Sequence, residues 1–143
     1  MLIGEVLRRK GRDVATVAPE ATISEVLELL ARHGVGALVV SSDGSTVAGI
    51  ISERDVVRAL AADGRDVVDR SAAQVMTREV FTCSETATID QLMDEMTERR
   101  FRHVPVTEDG RLVGIVSIGD VVNARVRTLE TETRQLTNYI SGY

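Results

Sequence analysis

A single cysteine, Cys83, rules out any disulfide within the chain and favours a reducing compartment, so a cytoplasmic location is expected. Tryptophan is absent. The aromatics are Phe81, Phe101, Tyr139 and Tyr143, too few to make a platform that stacks the bases of a single strand. A formal charge of −5 over 143 residues opposes attraction to a nucleic-acid backbone. Only Arg8, Arg9, Lys10 and Arg12 form a local basic cluster, either a solvated face or a phosphate contact for a small ligand. No run approaches the roughly 20 apolar residues of a membrane span, and Met1 to Leu7, followed by Arg8-Arg9-Lys10, has the wrong charge order for a secretory signal. Neither a nucleic acid nor a membrane is therefore an expected partner.

Catalytic signatures are missing too. His33, His103 and Cys83 have no metal-ligand spacing. Gly34-Val35-Gly36 follows a helix and lacks the third glycine of a dinucleotide fingerprint. The chain contains no Gly-x-Ser-x-Gly elbow, paired His-Glu motif or phosphate loop. An enzyme is not expected, and Cys83, on a predicted strand, reads as a small buried hydrophobe.

What is present is a repeat. Ala21-Thr22-Ile23 returns as Ala87-Thr88-Ile89, and Gly49-Ile50-Ile51-Ser52-Glu53-Arg54-Asp55-Val56-Val57 returns as Gly114-Ile115-Val116-Ser117-Ile118-Gly119-Asp120-Val121-Val122. The register slips by one residue where Asp43-Gly44-Ser45-Thr46 faces Asp109-Gly110-Arg111, a place where a turn can absorb it. Thr22-Ile23-Ser24-Glu25, Ser71-Ala72-Ala73-Gln74 and Thr88-Ile89-Asp90-Gln91 are capping boxes that predict helix starts. Behind them Ile23, Val26, Leu27, Leu30 and Ile89, Leu92, Met93, Met96 line one helical face each. Ala37-Leu38-Val39-Val40 and His103-Val104-Pro105-Val106 are short β-prone runs, each followed by an Asp-Gly turn and a second strand, over 47–51 and 112–116. Strands are also predicted at 14–17 and 80–82, and second helices at Ser52 and Ser117. Each unit thus reads strand, helix, strand, strand, helix, an α+β (α/β) pattern of about 50 residues, which is marginal alone and secure when two units pack by their sheets. The opening segment at Gly4 to Leu7 has its counterpart in the short helix before the second unit.

Twice, directly after a strand, the chain carries Gly-x-x-Ser-x-x-Asp. Such a helix start is a good cap in itself. It also suits a ligand: free amides and a hydroxyl attract phosphate, a carboxylate one turn in can accept both hydroxyls of a ribose, and Gly49 and Gly114 would allow close backbone approach.

This duplication, with Arg102-His103-Val104-Pro105-Val106 on the second central strand, resembles a pair of cystathionine β-synthase-type (CBS) domains, or Bateman module, over residues 11–126. Val39 stands where many members have Pro, and Ser52 and Ser117 where Thr is common. The resemblance implies a first unit at 11–60, a linker with a short helix at 61–76, a second unit at 77–126 and a helical extension at 127–143. It further implies two pseudo-two-fold clefts for adenosine-bearing regulatory ligands: AMP, ADP, ATP, NAD(H) or S-adenosylmethionine. No cofactor is required. The site residues it implies are crossed between units. One cleft takes Ser117, Ile118, Gly119 and Asp120 with Val14, Val35, Gly36 and Ala37, and Lys10 near the phosphate. The other takes Ser52, Arg54, Asp55 and Arg58 with Val80, Arg102, His103, Val104 and Pro105, and its arginines favour the more phosphorylated or dinucleotide ligand.

The expected function is a nucleotide sensor of energy or redox state that modulates an unidentified protein; the alternative is a ligand-independent scaffold with degenerate clefts. Val122, Val126, Leu129, Thr133, Leu136 and Ile140 form a heptad seam with no internal partner, so a homodimer is expected.

Overall fold

The computed structural model describes residues 1–142; Tyr143, the last residue of the expected extension, lies outside the described residues. The first unit holds β1 (Thr16–Val17), α2 (Ile23–His33), β2 (Ala37–Val40), β3 (Gly49–Ser52) and α3 (Glu53–Asp63), and α1 (Ile3–Lys10) precedes it. A 3-10 turn (Arg65–Asp69) and α4 (Ala72–Val75) lead to the second unit, with α5 (Ile89–Arg99), β4 (His103–Glu108), β5 (Arg111–Ser117) and α6 (Ile118–Ile140).

The helix starts follow the caps. Ser52, Ser71, Thr88 and Ser117 each form a reciprocal box with the residue three further on. Thr22 accepts from the Glu25 amide in the same way, but the Glu25 side chain does not return to it. The hairpin turns explain the register slip. β4 and β5 are joined by Asp109 and Gly110, both at positive φ, the backbone of a tight two-residue hairpin. In the first unit the loop is longer, and Asp43 Oδ1 ties it by accepting from the Thr46 and Ser45 amides, which hold its carboxyl well below the usual range.

In the first unit β2 is central, parallel to β1 and antiparallel to β3. The second sheet has only β4 and β5, and the strand expected at 80–82 does not form. A proline is the reason. Val39 N–H donates to Ala15 O at 3.1 Å, whereas Pro105, at the matching place in β4, has no N–H to give. What survives is one parallel bridge between Cys83 and Val106, with Cys83 N donating to Pro105 O and Thr107 N to Cys83 O. Cys83 is half-buried, not fully buried as expected, and burial followed by the nearby Glu108 charge pushes its thiol up to about 11, far from a thiolate at neutral pH.

Two cores result. That of the first unit gathers Ile23, Val26, Leu38, Val40 and Ile51 with Val67 and Ala72 from the connecting segment. The other gathers Leu92, Val104, Val106, Val116 and Val121, and its remaining wall is Ile3, Val6 and Leu7. The N-terminal helix therefore completes the second unit, and α4 completes the first. The backbone repeats this crossing: Ile3 N donates to Ala87 O and Ile89 N to Met1 O, while Ala72 N donates to Ala21 O and Ile23 N to Arg70 O. Gly114 and Gly49 are the contact points. A Cβ on Gly114 would lie 2.7 Å from both Leu7 methyls, and one on Gly49 would lie 2.5 Å from Met76 Sδ and 2.7 Å from Thr77 O. These glycines admit the crossed helices, not a ligand.

The units touch where the β2–β3 loop reaches β5 and the residue before β2 reaches β4. Leu112 N donates to Ser45 O at 2.7 Å, and Gly36 lies against the His103 ring.

Candidate ligand-binding clefts

The start of α3 sets the larger cleft. Ser52 ends β3 in extended backbone, so Asp55 falls one turn into the helix with its carboxylate turned back on the cap. Its Oδ2 accepts from the Ser52 amide at 2.9 Å and the Ser52 hydroxyl at 3.1 Å, and its Oδ1 from the Thr77 hydroxyl at 3.2 Å. In front of it opens a cavity of about 940 Å³. The first unit supplies Ser52, Arg54, Asp55 and Arg58 to its wall, and the second supplies Val80, Arg102 and His103. These seven expected residues share one cleft built from both units.

Two expected members are elsewhere. Val104 is fully buried in the second core, on the face of β4 opposite His103, by strand alternation. Pro105 shares the His103 face but is buried and does not line the cavity. Gly36, expected beside Asp120, lines the Asp55 cavity instead, since its carbonyl accepts from the Glu53 amide at the start of α3.

Further residues come into the cavity unannounced. Arg99 and Arg100 join Arg54, Arg58 and Arg102, giving five guanidinium groups against the carboxylates of Glu53, Asp55 and Glu79. Arg100 caps α5 at φ 59°, where Gly34 caps α2 at φ 64°. A left-handed arginine is held against an intrinsic preference of about 1–2 kcal/mol. Phe81 and Phe101 stack with centroids 5.2 Å apart, and the Arg99 guanidinium lies 5.2 Å from the centre of the Phe81 ring. The sequence signal for this wall was the run Arg99-Arg100-Phe101-Arg102, three cations in four residues at a helix end. His103 is held below its ordinary value by burial first and by the Lys10 charge next, so its ring is neutral at pH 7.

The second repeat is arranged differently. Ser117 caps α6, its amide donating to Asp120 Oδ2 at 2.8 Å, and Lys10 Nζ donates to the same oxygen at 2.5 Å. Burial pushes the Asp120 carboxyl up, but the Lys10 hydrogen bond and the Ser117 amide outweigh it and leave the group below its usual value. Beside this pair is a hollow of about 120 Å³. Ile118 is exposed and Gly119 open, while Val14, Val35 and Ala37 line neither space. Among the described residues no group of three His, Cys, Asp or Glu could hold a metal ion, and no helix is long and apolar enough to cross a membrane.

Comparison with known proteins agrees with this doubled architecture. The CBS domain family model matches residues 3–62 and 72–127. CBS domain-containing protein CBSX3, mitochondrial, of Arabidopsis thaliana is 34% identical over 98% of this chain and 72% of its own length. The crystal structure of the CBS-domain containing protein ATU1752 from Agrobacterium tumefaciens is 50% identical, with a TM-score of 0.84 over 87% of this chain and 99% of that one. CBS domain protein PAE2072 from Pyrobaculum aerophilum, complexed with AMP, is 30% identical, with a TM-score of 0.79 over 93% of this chain and 99% of that one. With two matched segments that coincide with the two sequence repeats, the chain belongs to the CBS-domain family and carries the domain as a pair.

Proposed function

We propose that the chain is a regulatory module that binds an adenosine nucleotide in the Asp55 cavity, without turnover, and passes its occupancy to a partner protein. The observation that carries this is the convergence of the hydrogen-bonded Asp55 carboxylate with five arginines, against two further acids, in a single cleft. Asp55 suits a ribose diol, because a carboxylate accepts two hydroxyl protons at once. The arginines suit phosphate, and the Phe81–Phe101 stack with Val80 offers an apolar wall to the base. The AMP held by PAE2072 supports the same ligand class. AMP, ADP, ATP and NAD(H) all carry these three parts, and a sensor of energy or redox state would read one of them.

The excess of guanidinium over carboxylate favours the ligand with more phosphate. Each further charge-assisted contact is worth about 1.5–3 kcal/mol, so ATP is expected to bind about tenfold to a hundredfold more tightly than AMP. Calorimetric titration of both nucleotides checks this, with Arg100→Ala and Arg102→Ala expected to narrow the ratio. Equal affinities in the wild type would return the arginines to the class of solvated surface charge.

The dimer belongs to the same proposal. Beyond Glu130 every described residue of α6 is exposed, and Val122, Val126, Leu129, Leu136 and Ile140 form an apolar stripe with no cover. Burying Leu129, Leu136 and Ile140 contributes about 1.5–3 kcal/mol each. Sedimentation at micromolar concentration should show a dimer that Leu129→Glu dissociates; a wild-type monomer would remove this element.

A further inference from the structure

The two repeated acids do not face the same donors. Asp55 accepts only from neutral groups, the Ser52 amide and hydroxyl and the Thr77 hydroxyl. Asp120 accepts from the Ser117 amide and from an ammonium, Lys10 Nζ at 2.5 Å. Helix length is the cause. α4 has four residues and stops at Val75, after which the chain runs out to pair Thr77 with Ile50. α1 has eight residues, and its further turn carries Lys10 across to the first turn of α6. The pair is partly shielded, with side-chain exposures of 31% for Lys10 and 24% for Asp120.

A ribose diol needs the carboxylate as its acceptor. At Asp55 the competing donors, beyond the capping amide, are two neutral hydroxyls, Ser52 at 3.1 Å and Thr77 at 3.2 Å, which ligand hydroxyls can replace. At Asp120 the competitor is a charged donor on a short contact, and charge-assisted bonds are about twice as strong as neutral ones. About 940 Å³ lies open in front of Asp55, whereas the hollow beside Asp120 is about 120 Å³ and is lined by Met1, α1 and α6 alone. Resting on the nucleotide-binding reading above, we infer that Lys10 is a tethered latch on Asp120: each chain takes one nucleotide, at Asp55, and the Asp120 cleft admits a second only when Lys10 is displaced. Lys10 thus occupies the ribose acceptor, and not the phosphate position that the family resemblance implied for it.

Titration with AMP of wild type, Lys10→Ala and Lys10→Ala/Asp120→Asn tests the latch. Lys10 ends a helix at the surface, so its truncation leaves the core intact; Lys10→Gln, neutral and of similar length, serves as a second variant. The expected stoichiometries are one AMP per chain for wild type, two for Lys10→Ala and one again for the double variant, with Lys10→Gln showing a second site at least tenfold weaker than that of Lys10→Ala. Two AMP per chain in the wild type, or one in Lys10→Ala, overturns the latch and leaves the nucleotide reading standing. No AMP in the wild type but one in Lys10→Ala, lost on Asp120→Asn, supports the latch and overturns the Asp55 reading. No binding by any variant removes both.

Discussion

Replacing Asp55 by Ala should weaken AMP binding by about a hundredfold or more, the loss of two charge-assisted hydrogen bonds worth roughly 1.5–3 kcal/mol each. The residue has a second role that must be separated from the first. As the third residue of the α3 capping box it satisfies the Ser52 amide, and loss of a cap costs about 0.5–2 kcal/mol of stability. Asp55→Asn divides the two. Its amide oxygen can still accept from Ser52, so most of the cap survives, while a neutral group holds a diol far less well. The expected pattern is a lowered Tm with lost binding for Asp55→Ala, and a nearly unchanged Tm with lost binding for Asp55→Asn, measured by thermal melting and calorimetry on the same samples. Asp120→Asn, whose carboxylate faces Lys10 already, should change AMP affinity by less than about threefold. If Asp55→Asn keeps wild-type affinity while Asp120→Asn abolishes it, the ligand sits in the wrong cleft and the proposed function must be rebuilt around α6.

That the two acids could be told apart at all depends on features of unequal legibility. The repeat, the caps at Ser52, Thr88 and Ser117 and the two hairpins were legible because each is a local matter: a hydroxyl three residues before its partner, or alternation around an Asp-Gly pair. Asp55 with Arg54, Arg58, Arg102 and His103 was legible through the family likeness, which assigns residues to a cleft by matching position. What escaped is non-local. The fate of residues 80–82 turned on a proline in another strand, since Pro105 withholds the one donor that Val39 provides in the first unit. Gly34 and Arg100 occupy the same left-handed cap, yet only the glycine announces such a backbone in sequence. Lys10 reached Asp120 because one helix is a turn longer than its counterpart, a difference invisible until the crossing of those helices between units is known.

That crossing makes the second large prediction, because it stakes the second core on residues from the far end of the chain. Leu7 is fully buried among Val116, Val121 and their neighbours, and its two methyls fill the space above Gly114. Leu7→Ala should cost about 2–5 kcal/mol, a large share of the roughly 5–15 kcal/mol by which a domain of this size is stable. Gly114→Ala alone should also destabilise, by about 1–3 kcal/mol, because its new methyl would meet both methyls of the buried Leu7 at 2.7 Å and force that side chain to shift. Combined, the two changes offset each other: the methyl on residue 114 enters the hollow left at residue 7. The double variant is therefore expected to be more stable than the sum of the singles by about 1 kcal/mol or more, a coupling that denaturant unfolding resolves. Gly49→Ala provides the contrast. Its Cβ would meet Met76 and the Thr77 carbonyl in the other core, so it should add to Leu7→Ala within about 0.5 kcal/mol. Additivity at both glycines would mean that α1 does not pack on the second unit in solution. Coupling at Gly114 alone fixes the turn that carries Lys10 against α6, and with it the geometry on which the closed state of the Asp120 cleft depends.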